Sequence, residues 1–333
     1  MKRVSVVTLM LLLPTLPTTG GAAPLSPLSN AAPLPLVQAG GAPSLREERD
    51  PELERALAMR VGADARWRAL AEAKRLSVGL VDLRNPGVPH YAAINGDTMM
   101  YAASLPKIAV LLAAFQAFED GTLKQSPEVV DDLTLMIRRS DNPAATRIVD
   151  RLGLPAIART LTAPAVRLYD ATTGGGLWVG RAYAQGHPCL PDPLKGLVHA
   201  ATAYQVCRFY YLLASRQLVS PERSAEMLGL LANTAMAHKF IYHLKDTASL
   251  NNVYRKSGTW QAWHADSVLV WQDDGRRYIL AALLEDPQGE QILRDLLPAA
   301  EEVLARVSSL GSSRTAGLHP TASPRLSFDL ASR

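Results

Sequence analysis

Two cysteines in 333 residues, Cys189 and Cys207, are too few for a disulfide scaffold. In an oxidising compartment they could pair, which would contribute about 3 kcal/mol in the chain-entropy model. They could equally stay free, and the sequence leaves both states open. His187 and His199 lie nearby, but no CxxC or HxxxH spacing accompanies them, so no metal site is expected. The chain is 48% hydrophobic and 20% charged, enough to bury a sizeable core without a staple. It also lacks a block of like charge. The net charge is +4 with both signs interspersed, whereas a nucleic-acid binder would carry a basic stripe. No nucleic-acid partner is expected.

No long apolar run is present either. The longest N-terminal run, from Val4 to about Leu16, is short of the roughly 20 residues of a spanning helix. Lys2 and Arg3 precede it, and small residues follow around Gly20–Ala23, which is the order of a secretory signal peptide. No cysteine follows to carry a lipid. The expectation is a signal peptide over 1–23 and a secreted or periplasmic chain without stable membrane insertion. Residues 24–47, rich in Pro, Ala and Gly, read as a linker, and 310–333 as a disordered tail. The folded body is expected over 48–309.

What is present in that body is helix and strand in a telling order. Asp50-Pro51 caps a long helix running to about residue 74. "LSVGLVDL" (76–83) reads as a buried strand, Asn85-Pro86-Gly87 as a turn, and "VPHYAAIN" as a returning strand. Helical segments occupy Ser104 to about Leu218, interrupted by a glycine-rich loop over 172–187. "DSVLVWQ" and "RRYILAALLE" flank Asp273-Asp274-Gly275, a hairpin signal. An amphipathic helix then closes the body despite Pro298. Strands at both ends and helices between them predict an α/β molecule of the α+β type. One mainly antiparallel sheet is flanked by helices and carries an inserted all-helical lobe.

"ASLPKIAVLLAAFQAF" (103–118) raises the chemical question. Proline is tolerated only in a helix's first turn, so Pro106 sets the helix start at about Ser104 or Leu105. Residues i and i+3 share a face, so Ser104 and Lys107 come within hydrogen-bond reach. Burial and the positive field of a helix N-terminus both disfavour an ammonium. A neutral lysine beside a serine can make it a nucleophile.

Two further segments join this one: Ser140-Asp141-Asn142 within "LMIRRSDNPAATRIVDRLG", and Lys256-Ser257-Gly258 within "YRKSGTWQAWHADSVLVW". The set S-x-x-K, S-D-N and K-S-G, in this order, resembles the penicillin-recognising serine hydrolases, most closely class A β-lactamases. The resemblance runs over about residues 76–285 and implies their β-lactamase/transpeptidase-like fold. It also implies Ser104 as the acylated nucleophile and Lys107 as its proton acceptor. Ser140 would pass a proton to the leaving nitrogen beside Lys256. Asn142 would donate its amide to a substrate carbonyl, and Ser257 with Lys256 would suit a substrate carboxylate. The amides of Ser104 and Thr259, next to Gly258, would form the oxyanion hole. No cofactor or metal is implied. The substrate would be a small molecule or a peptidoglycan-like amide, and the protein a monomer.

One family element is absent. The E-x-x-L-N loop motif, whose glutamate frees the acylated serine, has no counterpart, for no glutamate lies between Glu128 and Glu222. Asp150, Asp170 and Asp192 remain, and Asp170 is the candidate deacylation base. Trp260 and Trp263 follow K-S-G where small residues are common in the family, and His264 is read as a structural hydrogen-bonder. The sequence therefore leaves several outcomes open. They are a β-lactamase with an unusual base, a peptidoglycan D,D-peptidase or slow-releasing penicillin-binding protein, a hydrolase of another amide or ester, and a non-catalytic cell-wall-binding protein.

Overall fold

The computed structural model describes residues 44–85 and 87–316. The expected signal peptide, most of the linker and the end of the tail lie outside them. Helices α1 (Pro51–Ala63) and α2 (Ala65–Glu72) lead into strands β1 (Leu76–Asp82), β2 (His90–Ile94) and β3 (Met100–Tyr101). The lobe follows with α3 (Lys107–Glu119), α4 (Pro127–Arg138), α5 (Asn142–Leu152) and α6 (Leu154–Thr162). Four short strands come next: β4 (Tyr169–Asp170), β5 (Gly175–Gly176), β6 (Trp178–Val179) and β7 (His199–Ala201). Then come α7 (Ala203–Ala214), α8 (Pro221–Leu231) and α9 (Ile241–Thr247). The chain closes with β8 (Val253–Trp260), β9 (Trp263–Trp271), β10 (Arg277–Glu285) and α10 (Gly289–Ala316).

The main sheet has the order β2-β1-β10-β9-β8, and every neighbouring pair is antiparallel. Strands from the two ends of the body meet in the middle, where β1 pairs with β10. Side chains alternate between faces along a strand, and β10 divides accordingly. Tyr278, Leu280, Ala282 and Leu284 pack with α1, α2, α9 and α10. Ile279, Ala281 and Leu283 pack with the lobe. The lobe is built around α3, which is buried on nearly every side, as expected of a helix without a polar stripe. Gly79 lets α7 approach β1 closely: a Cβ there would meet Cys207 Sγ at 2.8 Å. Cys207 is buried and Cys189 exposed, and both are free thiols.

Several boundaries differ from the sequence reading. The opening helix breaks at Asp64, whose carboxylate accepts from the amides of Arg66 and Trp67 and restarts the chain as α2. The body begins before residue 48, for Leu45 is 1% exposed and Arg46 pairs with Asp97 over the Tyr204 ring. At the other end α10 continues from 310 to Ala316, because extending a packed helix is far easier than starting one. The glycine-rich loop is largely structured. It supplies β5 and β6, and Leu177, Trp178 and Val179 are buried. Among the described residues no helix is long and apolar enough to cross a membrane.

Candidate active site

Ser104 sits in a tight turn ahead of α3. Ala103 adopts φ 50°, the left-handed region a non-glycine residue enters only when its surroundings hold it there. The bonds Leu105 N–H to Ala102 O, Lys107 N–H to Ser104 O and Ile108 N–H to Leu105 O span three residues each. The regular helix therefore begins at Lys107, later than the sequence suggests. In such a 3₁₀ turn residues i and i+3 eclipse one another, so Ser104 and Lys107 still share a face.

Lys107 is fully buried. Its ammonium nitrogen donates to the Ser140 carbonyl at 2.6 Å and to Asn142 Oδ1 at 2.7 Å. Asp141 O lies at 3.3 Å and Ser140 Oγ at 3.5 Å. Burial pushes this amine down to about 7, and the only group raising it is Asp141. No carboxylate among the described residues forms an ion pair with it. Asp141 is occupied as the N-cap of α5, accepting from Ala144 N–H at 2.7 Å. That cap presents Asn142 at the helix start, and Oδ1 facing Lys107 turns the Nδ2 donors outward. Ser140, just before the cap, is held at φ 55°.

The third segment arrives on β8. Because faces alternate, Tyr254, Lys256 and Gly258 look into the lobe, while Val253 and Arg255 look the other way. Lys256 is 1% exposed and donates to Ser140 Oγ at 2.8 Å and to Ser257 O at 2.8 Å. Burial, and then the charge of Lys107, hold its amine well below the usual lysine value. Ser140 thus lies between two lysines from α3 and β8. Gly258 runs against the serine turn itself. A Cβ at 258 would stand 2.2 Å from Ala102 O and 2.8 Å from the amides of Ser104 and Leu105. No backbone carbonyl among the described residues accepts from the Ser104 N–H. Ser257 is buried beside Lys256, and Thr259 lies next in register opposite His264.

Asp170 does not join this group. Its carboxylate accepts from Thr172 N–H at 2.9 Å and Thr172 Oγ1 at 2.6 Å, which hold its pKa below the ordinary value. It lines a separate cleft with Arg46, Arg167, Tyr204 and Arg208. That cleft includes none of Ser104, Lys107, Ser140 and Lys256. Asp192 is equally committed, accepting from Tyr169 Oη and three backbone amides. Asp150 pairs with His187.

Residues that carry no motif complete the site. Lys239 is fully buried and donates to Gly258 O (2.6 Å), Thr259 Oγ1 (2.8 Å) and Ala265 O (3.1 Å), pinning the end of β8. Burial brings its amine down to about 7. Tyr183 lies over Lys107, ring centroid to Nζ 4.5 Å. Its other face stacks on His199, 4.3 Å away and 7° from parallel. His199 bonds Arg181 O at 2.9 Å, and burial pushes its imidazole down to about 4. Of the two tryptophans after K-S-G, Trp260 is 59% exposed, and Trp263 packs edge-on against Tyr101. His264, expected as a structural hydrogen-bonder, instead packs under Gly289 at the start of α10, its buried Nδ1 without a partner among the described residues.

The arrangement can generate a serine nucleophile, with two amines of lowered basicity around a second hydroxyl. Solved structures share the fold. A β-lactamase from Sphaerobacter thermophilus is 21% identical, with a TM-score of 0.57 over 74% of this chain and 95% of that one. The penicillin-binding protein PBP-A is 18% identical, with a TM-score of 0.57 over 78% and 97%. The TLA-3 extended-spectrum β-lactamase is 11% identical, with a TM-score of 0.58 over 75% and 99%. No curated protein matched the sequence. The model of the β-lactamase enzyme family matches residues 63–132 and 124–311. Those segments take in every strand of the main sheet and all three motifs, and by that match this chain belongs to the β-lactamase enzyme family.

Proposed function

We propose that the chain is an exported serine hydrolase that acylates Ser104 with a β-lactam or a related peptide-like amide. The observation that carries this reading is Ser140 Oγ, 2.8 Å from Lys256 Nζ and 3.5 Å from Lys107 Nζ. A neutral amine has two N–H donors and one lone pair. The two short contacts of Lys107, to Ser140 O and Asn142 Oδ1, use the two donors. The lone pair is left for the Ser104 hydroxyl proton. Ser104 Oγ then attacks the substrate carbonyl carbon, and the oxyanion is received by the Ser104 and Thr259 amides. Ser140, next to Lys256, returns a proton to the departing nitrogen, whose bond to carbon breaks. Asn142 Nδ2 orients the substrate, and Ser257 with Lys256 faces its carboxylate.

Incubating the protein with penicillin G and weighing it intact tests this. One adduct of the drug's mass is expected, located on Ser104 by peptide mapping and missing from Ser104→Ala. A protein that takes up no mass is not this enzyme. A second reading, a penicillin-binding protein or D,D-peptidase that releases a β-lactam slowly, is favoured by one observation. Asp141, whose charge reaches Lys107, is taken up in capping α5, and no carboxylate among the described residues forms an ion pair with that lysine to activate water.

A further inference from the structure

We propose that Tyr183 sets the lifetime of the Ser104 ester, its ring packing against Lys107 and keeping water away from that amine. This rests on the acylation reading above and extends it to the second half-reaction. Hydrolysis requires a water oxygen to attack the acyl carbon, one water proton to pass to a base, the carbon–Oγ bond to break, and a proton to return to Oγ. Among the groups around Lys107, the Ser140 and Asn142 acceptors occupy one side. The Tyr183 ring covers another, 4.5 Å from Nζ.

The ring is held in place. It stacks on His199, whose imidazole is bonded to Arg181 O and sits in turn beside Tyr101 at 6.2 Å. Tyr101 meets Trp263 at 6.1 Å. A continuous aromatic wall thus runs from Lys107 to the β8–β9 turn. An uncharged His199 adds no repulsion against Lys107 and offers the ring an apolar backing. The Tyr183 hydroxyl is buried and finds no partner among the described residues. The ring therefore is not held there by its oxygen. The ring is held instead by its contacts with Lys107 and His199.

The test compares wild type, Tyr183→Phe, Tyr183→Ala and His199→Ala after acylation by penicillin G, following loss of the Ser104 adduct by mass at several pH values. Tyr183→Phe keeps the ring and is expected to keep the lifetime. Tyr183→Ala admits water next to Lys107 and is expected to shorten the lifetime about 10²-fold, the lower range of a general base. Release in that variant should rise with pH and level off above about 7 as Lys107 loses its proton, whereas attack by free hydroxide in a merely loosened site would keep rising. His199→Ala removes the brace and should shorten the lifetime in the same direction, which keeps the test open if Tyr183→Ala does not fold. An unchanged lifetime in both alanine variants overturns the proposal. So does a Tyr183→Phe lifetime as short as that of Tyr183→Ala, because the hydroxyl would then be the active group. Adduct formation reads the acylation site and adduct decay reads Tyr183, so the two can fail separately.

Discussion

Lys107 gives up its proton because it is buried, and the first consequence is a pH profile. With its amine brought down to about 7, the neutral form, which in the proposed mechanism accepts the Ser104 proton, is the minority below that pH. The acylation rate with penicillin G should fall about tenfold per pH unit below 7 and level off above it, because each unit is a factor of ten in the neutral fraction. Stopped-flow measurement of acylation across pH 5–9 checks this, and a flat profile would remove Lys107 as the base. The same residue scale sets what the sequence could reveal. That Ser140, Asn142 and Lys256 would gather around Lys107 could be expected from short motifs, because spacing in a first turn, at a cap or on a strand is a local property. The same could not be expected of Lys239, Tyr183 and His199. They reach the site through long-range packing, and a lone buried lysine or tyrosine carries no spacing to recognise. Asp170 misled for the opposite reason: its position in the chain suggested the site, but its own turn holds it elsewhere.

At the scale of elements, the site is a meeting of one turn, one helix cap and one strand, and Gly258 is where the strand meets the turn. A methyl group there would be driven against Ala102 O and the Ser104 amide. Overpacking of this kind typically costs about 1–3 kcal/mol, and backbone cannot swing aside as a flexible side chain can. Gly258→Ala should lower the unfolding free energy by that amount, read from the shift of the urea midpoint, and slow acylation far more than Ser257→Ala does. Equal effects of the two variants would mean that the contact does not position Ser104. Elements were readable in proportion to their length. Of the four long strands, β1, β9 and β10 were evident from apolar runs and the Asp-Asp-Gly turn, whereas the polar β8 was not. The strands β3 to β7 were not, because two or three residues show no periodicity, and β3 finds its partner β7 about a hundred residues away. The break between α1 and α2 lay hidden in a run of good helix formers, where Asp64 took over as a cap.

For the molecule as a whole, the stability of the site depends on a charge pair on the far face of the same strand. Arg255 points away from Lys256 and is bonded to Asp266 at 2.8 and 2.9 Å, both residues buried to within 1%. Arg255 also donates to Met236 O and His238 O, and Asp266 accepts from Phe240 N–H. The pair therefore ties segment 236–240, and with it Lys239, to the sheet. Burial depresses the amines of Lys239 and Lys256, Arg255 pushes both further down, and Asp266 offsets part of this. Removing Asp266 would leave Arg255 as one more uncompensated buried cation among them. Breaking one half of a buried pair costs about 3–5 kcal/mol, whereas replacing both halves with apolar groups is often close to neutral. Asp266→Leu should therefore lower the urea midpoint sharply, and Arg255→Met with Asp266→Leu should recover most of the loss. The double variant would still lack the bonds to Met236 O, His238 O and Phe240 N–H that hold Lys239 under Thr259. Its acylation by penicillin G should stay slow even where its stability returns. Full recovery of both properties would make the pair a bystander. Stability recovered without acylation would mean that the sheet holds the chain together by its apolar faces and holds the site together by this one charged contact.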